Sequence, residues 1–293
     1  MGCCGWAKPA HNTPSILFSD RYSIQAGTHQ ERSLIAVLIS LLTAAAPLPV
    51  LAGLVLCIAF LYASVGFGGA SGYLAVMSLF AIPPAIAAST ALSLNVVVAG
   101  VAFVNFTRHG HLQPGLLWPF VLTSLPAAFL GGAIRLDQFS YQLLLNTVLL
   151  YLGLRLLFAN SPTPAVQRQK APSWPLALAS GALLGLLSGM LGIGGGIFLS
   201  PLILLAGWGD AKQAAASSAG FIFLNSLGGL AGRAWSANLQ FGPLGGILIL
   251  FGLVGGLAGS FLGVRVLSTR TVRRLLGVVM LAAVAWFVLG VLK

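Results

Sequence analysis

This sequence has very little acid. Its 293 residues contain four carboxylate side chains, Asp20, Glu31, Asp137 and Asp210, and none has a second within ten residues. A carboxylate proton relay of the kind many pumps use is therefore unavailable. Three cysteines (Cys3, Cys4, Cys57) and four histidines (His11, His29, His109, His111) show neither zinc-ligand spacing nor a disulfide framework. No metal and no cofactor is expected. No Walker motif is present, so ATP does not drive the chain directly. Lys and Arg number 15, for a net charge of +11, but they stand singly between apolar runs, which argues against nucleic acid as a partner. All charged residues together make 6% of the chain, against about 25% in an ordinary globular protein. A water-soluble surface cannot be built from so few.

What is present is apolar. Hydrophobic residues make 58% of the chain and the mean hydropathy is +0.97. The lipid bilayer is the expected surrounding, and a multi-pass protein of the cell (plasma or inner) membrane the expected class. Residues 1–33 are polar and without period and read as a disordered tail. The start Met1-Gly2-Cys3-Cys4 suggests lipidation, but Trp6 stands where the myristoylation pattern needs Ser or Thr. Residues 34–49 form an extra apolar segment, either a first span or part of a leader. Apolar runs then follow almost without pause. Six of them, 86–106, 115–135, 140–158, 213–232, 243–264 and 272–292, reach the roughly 20 residues that a span needs. A Pro-rich linker, 159–175, divides a first repeat, 50–158, from a second, 176–293.

The halves echo each other. Gly66-Phe-Gly68-Gly69 answers Gly192-Ile-Gly194-Gly195, Ala87-Ala88-Ser89-Thr90-Ala91 answers Ala215-Ala216-Ser217-Ser218-Ala219, and Ala133-Ile-Arg135 answers Gly263-Val-Arg265. Basic residues without acid mark the linker (Arg155, Arg168, Lys170) and the stretch Arg265, Arg270, Arg273, Arg274 as cytoplasmic, while Arg135 stands beside Asp137. Corresponding loops thus vote for opposite faces. The fold expected is an all-α polytopic membrane protein of two inverted repeats with Gly-interrupted short helices.

The glycine clusters are the sharpest local feature. Gly costs about 1 kcal/mol relative to Ala inside a helix, so a cluster unwinds it. Unwound backbone in a membrane is tolerated only in protein or against a water-filled cavity. The run after each cluster starts a new helix with unpaired N–H groups and a positive dipole end, which suits an anion. Gly66, Gly68, Gly69, Ser71, Gly192, Gly194, Gly195 and Gly196 are candidate substrate contacts on this reasoning; close packing through small faces is the competing reading. Ser89, Thr90, Ser217 and Ser218 could donate to the same ligand, or bond their own helix backbone. Asn95 and Asn225 should face the bundle interior, as ligand contacts or as helix–helix glue. Arg108 and Arg233 could draw anions to two mouths, whereas Arg135 and Arg265 read as snorkelling. Asp210 and Lys212 read as a surface pair, and Trp118, Trp174, Trp208 and Trp235 as an interfacial belt. Gly69-Ala70-Ser71-Gly72 has the shape of an intramembrane serine protease motif, but His109 and His111 lie in a distant loop, so no enzyme is expected.

At these residues the sequence resembles the sulfite exporter TauE/SafE family. The likeness rests on the duplicated module, is best from Ser188 through Gly232, and departs in the first half at Tyr62 and at Ala70-Ser71. It implies a secondary transporter that exports small sulfur-containing or organic anions, such as sulfite or sulfonates, by alternating access. A homodimer is compatible with it. The rival classes are a non-transporting membrane scaffold or assembly subunit, and an anion channel.

Overall fold

A computed structural model describes residues 48–64, 66–158, 172–266, 278, 280–285 and 287–289. The chain divides into two compact units, 1–49 and 50–293. The polar tail and nearly all of the 34–49 segment lie outside the described residues, as do Arg168, Lys170, Arg270, Arg273 and Arg274.

Every described regular element is a helix. In chain order they are α1 (Leu48–Ala63), α2 (Ala70–Leu79), α3 (Pro84–Arg108), α4 (Pro114–Ala133), α5 (Gln138–Phe158), α6 (Trp174–Leu191), α7 (Gly196–Leu205), α8 (Ala211–Trp235) and α9 (Gly245–Val266). Helical residues return between Val278 and Leu289. Helices α3, α4 and α6 each carry Pro in the first turn, where a missing N–H costs nothing. Helix α8 opens on a capping box. The Asp210 carboxylate accepts the N–H groups of Lys212 and Gln213, both at 2.8 Å, and the Gln213 side chain accepts the Asp210 N–H at 2.9 Å. The Asp210 carboxylate is therefore bound to backbone as a cap, where a charge pair with Lys212 was expected. Four helices, α3, α4, α6 and α8, are long and apolar enough to cross a membrane. The protein is an integral membrane protein.

Glycine sets how closely these helices approach. A Cβ on Gly131, Gly185 or Gly189 would collide with the backbone carbonyls of Leu186, Ser124 and Ala128 respectively, so α4 and α6 touch main chain to main chain. The order of contacts also gives directions. Gly181, Gly185 and Gly189 of α6 meet Phe120, Ser124 and Ala128 of α4 in ascending order, and Gly228 and Gly232 of α8 meet Leu125 and Phe129. Helices α4, α6 and α8 thus run the same way. On the other side, Gly252 and Gly256 of α9 meet Leu94 and Val98 of α3, and Gly255 and Gly259 meet Leu56 and Phe60 of α1. Helices α1, α3 and α9 form a second parallel set. Helix α3 crosses α8 in the opposite sense: Phe103 meets Gly220 and Leu92 meets Gly229.

The tryptophans divide. Trp118, Trp174 and Trp235 are exposed, but Trp208 is buried with its ring 5.8 Å from that of Phe120. The turn between α7 and α8 folds over the start of α4 and takes this indole into the core, so Trp208 does not belong to an interfacial belt.

Candidate anion site at two broken helices

Both glycine clusters break the helix. Helix α1 stops at Ala63 and α2 begins at Ala70, while α6 stops at Leu191 and α7 begins at Gly196. The N-caps Gly69 and Gly195 have φ of 97° and 73°, a left-handed backbone that L side chains rarely adopt. The two breaks enter from opposite ends. A Cβ on Gly66 would come within 2.8 Å of Ala215 at the start of α8 and 2.9 Å of the Phe106 ring near the end of α3. A Cβ on Gly192 would meet Ala88 at 2.9 Å, near the start of α3. They then converge. Gly68 and Gly194 both abut the Asn95 amide, and a Cβ on either would come to 2.8 Å of Ile222 Cγ2. Asn95 lies midway along α3 and Ile222 midway along α8. Helices α2 and α7 have 10 residues each, about 15 Å, half of a roughly 30 Å hydrocarbon layer. Each therefore begins near mid-depth with its positive end.

Asn95 joins the two breaks. Fully buried, it accepts the Ala70 N–H through Oδ1 and donates to the Ile193 carbonyl through Nδ2, both at 3.2 Å. Asn225 does not share this position. Its Oδ1 accepts the Ser124 hydroxyl at 2.9 Å and its Nδ2 has no partner. The Ala-Ala-Ser motifs repeat at a spacing of 128 and the two asparagines at 130. Two residues turn a helix by about 200°, which carries Asn225 to the far face.

The hydroxyls also separate. Ser71 pairs with the Tyr62 hydroxyl at 2.8 Å, and Ser89 donates to the Ala85 carbonyl at 2.8 Å, the self-bonded fate. Thr90 is buried. Ser217 and Ser218 are fully buried and have no hydrogen-bond partner within the protein. Ser188, Ser226 and the Tyr73 hydroxyl, not singled out as contacts from the sequence, share that state, as do Asn146 Oδ1 on α5 and Arg233 Nε. Ser226 Oγ lies 3.4 Å from the Cβ position of Gly194, Ser188 Cβ 3.5 Å from that of Gly195, and the Tyr73 hydroxyl 2.7 Å from that of Gly69. Buried polar groups without partners are exceptions in folded proteins. Here the three hydroxyls stand beside the glycines of the two breaks. Ser188 opens the second glycine motif and Ser226 follows Asn225, so both had a sequence signal; Tyr73 had none.

Arg233 is not at an open mouth. It is 2% exposed and donates to the carbonyls of Met190 at 2.9 Å and Gly189 at 3.4 Å, in the last turn of α6. A cation there offsets the negative dipole end of that helix just before the second break. Arg108 is exposed, and exposed Arg135 donates to the Ser236 carbonyl. The Arg265 side chain lies outside the described residues. Among the described residues no group of three or more His, Cys, Asp or Glu could hold a metal ion.

The profile of the sulfite exporter TauE/SafE family matches residues 51–287, which takes in both breaks and every candidate residue. The chain belongs to this family. It is also 34% identical over 230 residues to a probable membrane transporter protein of Sinorhizobium fredii, covering 77% of this chain and 92% of that one. No solved structure matches it. Family and relative are transporters by name, not enzymes, and the helices of this TauE/SafE chain suit the same work: it is a membrane transporter.

Proposed function

We propose that the chain is a secondary transporter of small sulfur-containing or organic anions, such as sulfite or sulfonates, acting as an exporter in the cell membrane by alternating access. One observation carries this reading. Two half-helices start back to back beside Asn95 and Ile222, and unpartnered buried hydroxyls stand at their first turns. Helix N-termini and hydroxyls solvate an anion without a counter-charge that would hold it too tightly to release.

Two inverted repeats, 50–158 and 176–293, are the architecture proposed. The opposite directions of the α1–α3–α9 and α4–α6–α8 sets support it, because each set takes two helices from one half and one from the other. Rocking of one set against the other would expose the breaks to alternate faces.

The decisive experiment is uptake of sulfite and small sulfonates into proteoliposomes holding the full chain. Saturable flux of at least one anion is expected, and no flux of any would overturn the assignment. Topology is tested by Gln113→Cys and Asn238→Cys, placed singly in a chain whose native cysteines are replaced by Ser. They occupy corresponding loops, so impermeant thiol reagents should reach them from opposite faces. Reaction from one face for both would end the inverted-repeat reading.

A further inference from the structure

At the end of α3 that meets the first break there is a cavity of about 550 Å3, lined among others by Asn105, Phe106, His109, His111, Lys212 and Ser260. It stands where the last turn of α3, the first of α8 and the far part of α9 come together. The Asn105 amide donates to Ser260 Oγ at 3.0 Å and fixes α3 to α9 at this wall. The floor is Phe106. Its ring lies 2.9 Å from where a Gly66 Cβ would be, so one aromatic side chain separates the cavity from the first glycine segment. His111 packs against the same ring, with centroids 6.3 Å apart.

Among the described residues that line this cavity, Lys212 carries the fixed charge. Exposed Arg108 lies in the same last turn of α3. The nearest acid in sequence, Asp210, accepts the Lys212 and Gln213 N–H groups on Oδ1 as the helix cap and is not among the described residues that line the cavity. The His109 Nδ1 bonds the Asn105 carbonyl at 2.7 Å, which orients its ring. Cationic groups on low-dielectric walls concentrate anions.

We propose that this cavity is a first binding site for small anions with a sulfonate- or carboxylate-like head, an antechamber that collects cargo above the Phe106 floor. The proposal rests on the reading above that the cargo is an anion. Lys212 supplies the fixed charge, the Ser260 hydroxyl, held by Asn105, a hydrogen bond, and Phe106 a surface for the apolar part of an organic anion. Passage to the glycine segments requires the ring to move.

The test reads the cavity without relying on transport. Phe261→Cys, at an exposed position that also lines the cavity, in a full chain whose native cysteines are replaced by Ser, is labelled in membranes with thiol reagents of equal size carrying a sulfonate or a trimethylammonium group. The anionic reagent should react about three- to tenfold faster relative to each reagent's rate with a free thiol, the effect of about one unit charge at partly screened range. High salt should shrink the preference. Lys212→Gln should remove it and Lys212→Arg keep it, and millimolar methanesulfonate should slow the reaction. Equal rates, or a preference that survives Lys212→Gln, would overturn the proposal. Those rates are independent of flux, so an antechamber that fails here leaves the glycine site standing. A preference in the single-Cys chain together with no anion flux through the wild-type chain would instead remove the transport reading and, with it, the role of the cavity in collecting cargo.

Discussion

The two glycine breaks differ in how their polar groups are spent. At the first, the Ser71 hydroxyl pairs with Tyr62 and the Ala70 N–H is taken by Asn95. At the second, Ser188, Ser218 and Ser226 are buried without partners beside glycines that approach them closely. The same backbone device thus occurs twice with different surroundings. A duplicated frame needs only small residues at matching positions, so side chains around one copy are free to diverge. The first copy keeps one unpartnered hydroxyl, that of Tyr73, against those three serines, so the second has more hydrogen-bonding capacity to spare.

The largest way to break this comparison is steric. Gly194→Leu forces a side chain onto Asn95 and Ile222 at a φ of 81°. Flux should fall to background while the protein still elutes as a folded species from a sizing column; undiminished flux would sink the assignment. Next, Asn95→Leu strands the Ala70 N–H and the Ile193 carbonyl, about 1–3 kcal/mol for each group. Asn225→Leu removes one bond to Ser124, about 1 kcal/mol. Thermal unfolding in detergent should rank them in that order, and equal losses would mean that Asn95 does not join the breaks.

A finer contrast is between hydroxyls. Ser226→Ala should lower flux at limiting anion about 10- to 100-fold, the worth of one hydrogen bond to a charged group, with little change in melting temperature. Ser89→Ala, whose hydroxyl is already taken by the Ala85 carbonyl and the Gln240 N–H, should stay within about twofold. Similar kinetics for the two would erase the distinction drawn above.

The smallest effect expected is outside the membrane. The Ser140 hydroxyl and backbone N–H beside exposed Asp137 hold its carboxyl below the usual carboxylate range. A depressed carboxylate adds stability above its unfolded pKa, and that stability is lost as pH falls through the folded value. Acidification should therefore loosen the start of α5, read by hydrogen exchange at Ser140 and Tyr141, and Asp137→Asn should weaken this pH dependence.

Much of the frame was legible beforehand. The apolar runs correspond to the helices in position, and the glycine clusters mark both breaks, because glycine's helix cost and a membrane's demand for paired backbone act locally. The candidate contacts were less legible. Asn95 and Asn225 look equivalent along the chain, yet they face different neighbours because helical phase depends on every residue between motif and side chain. Arg233 and Trp208 sit at run ends, where sequence favours a mouth or a headgroup belt, and both are buried by helices that arrive from elsewhere in the chain.

The sequence by itself determined that this is a helical membrane protein, where its helices break, and that it has almost no acid to offer as chemistry. Only the tertiary structure decided which polar groups remain unspent. Whether a hydroxyl or amide is satisfied depends on partners as far away as the 98 residues between Asn95 and Ile193, a separation that no local pattern encodes.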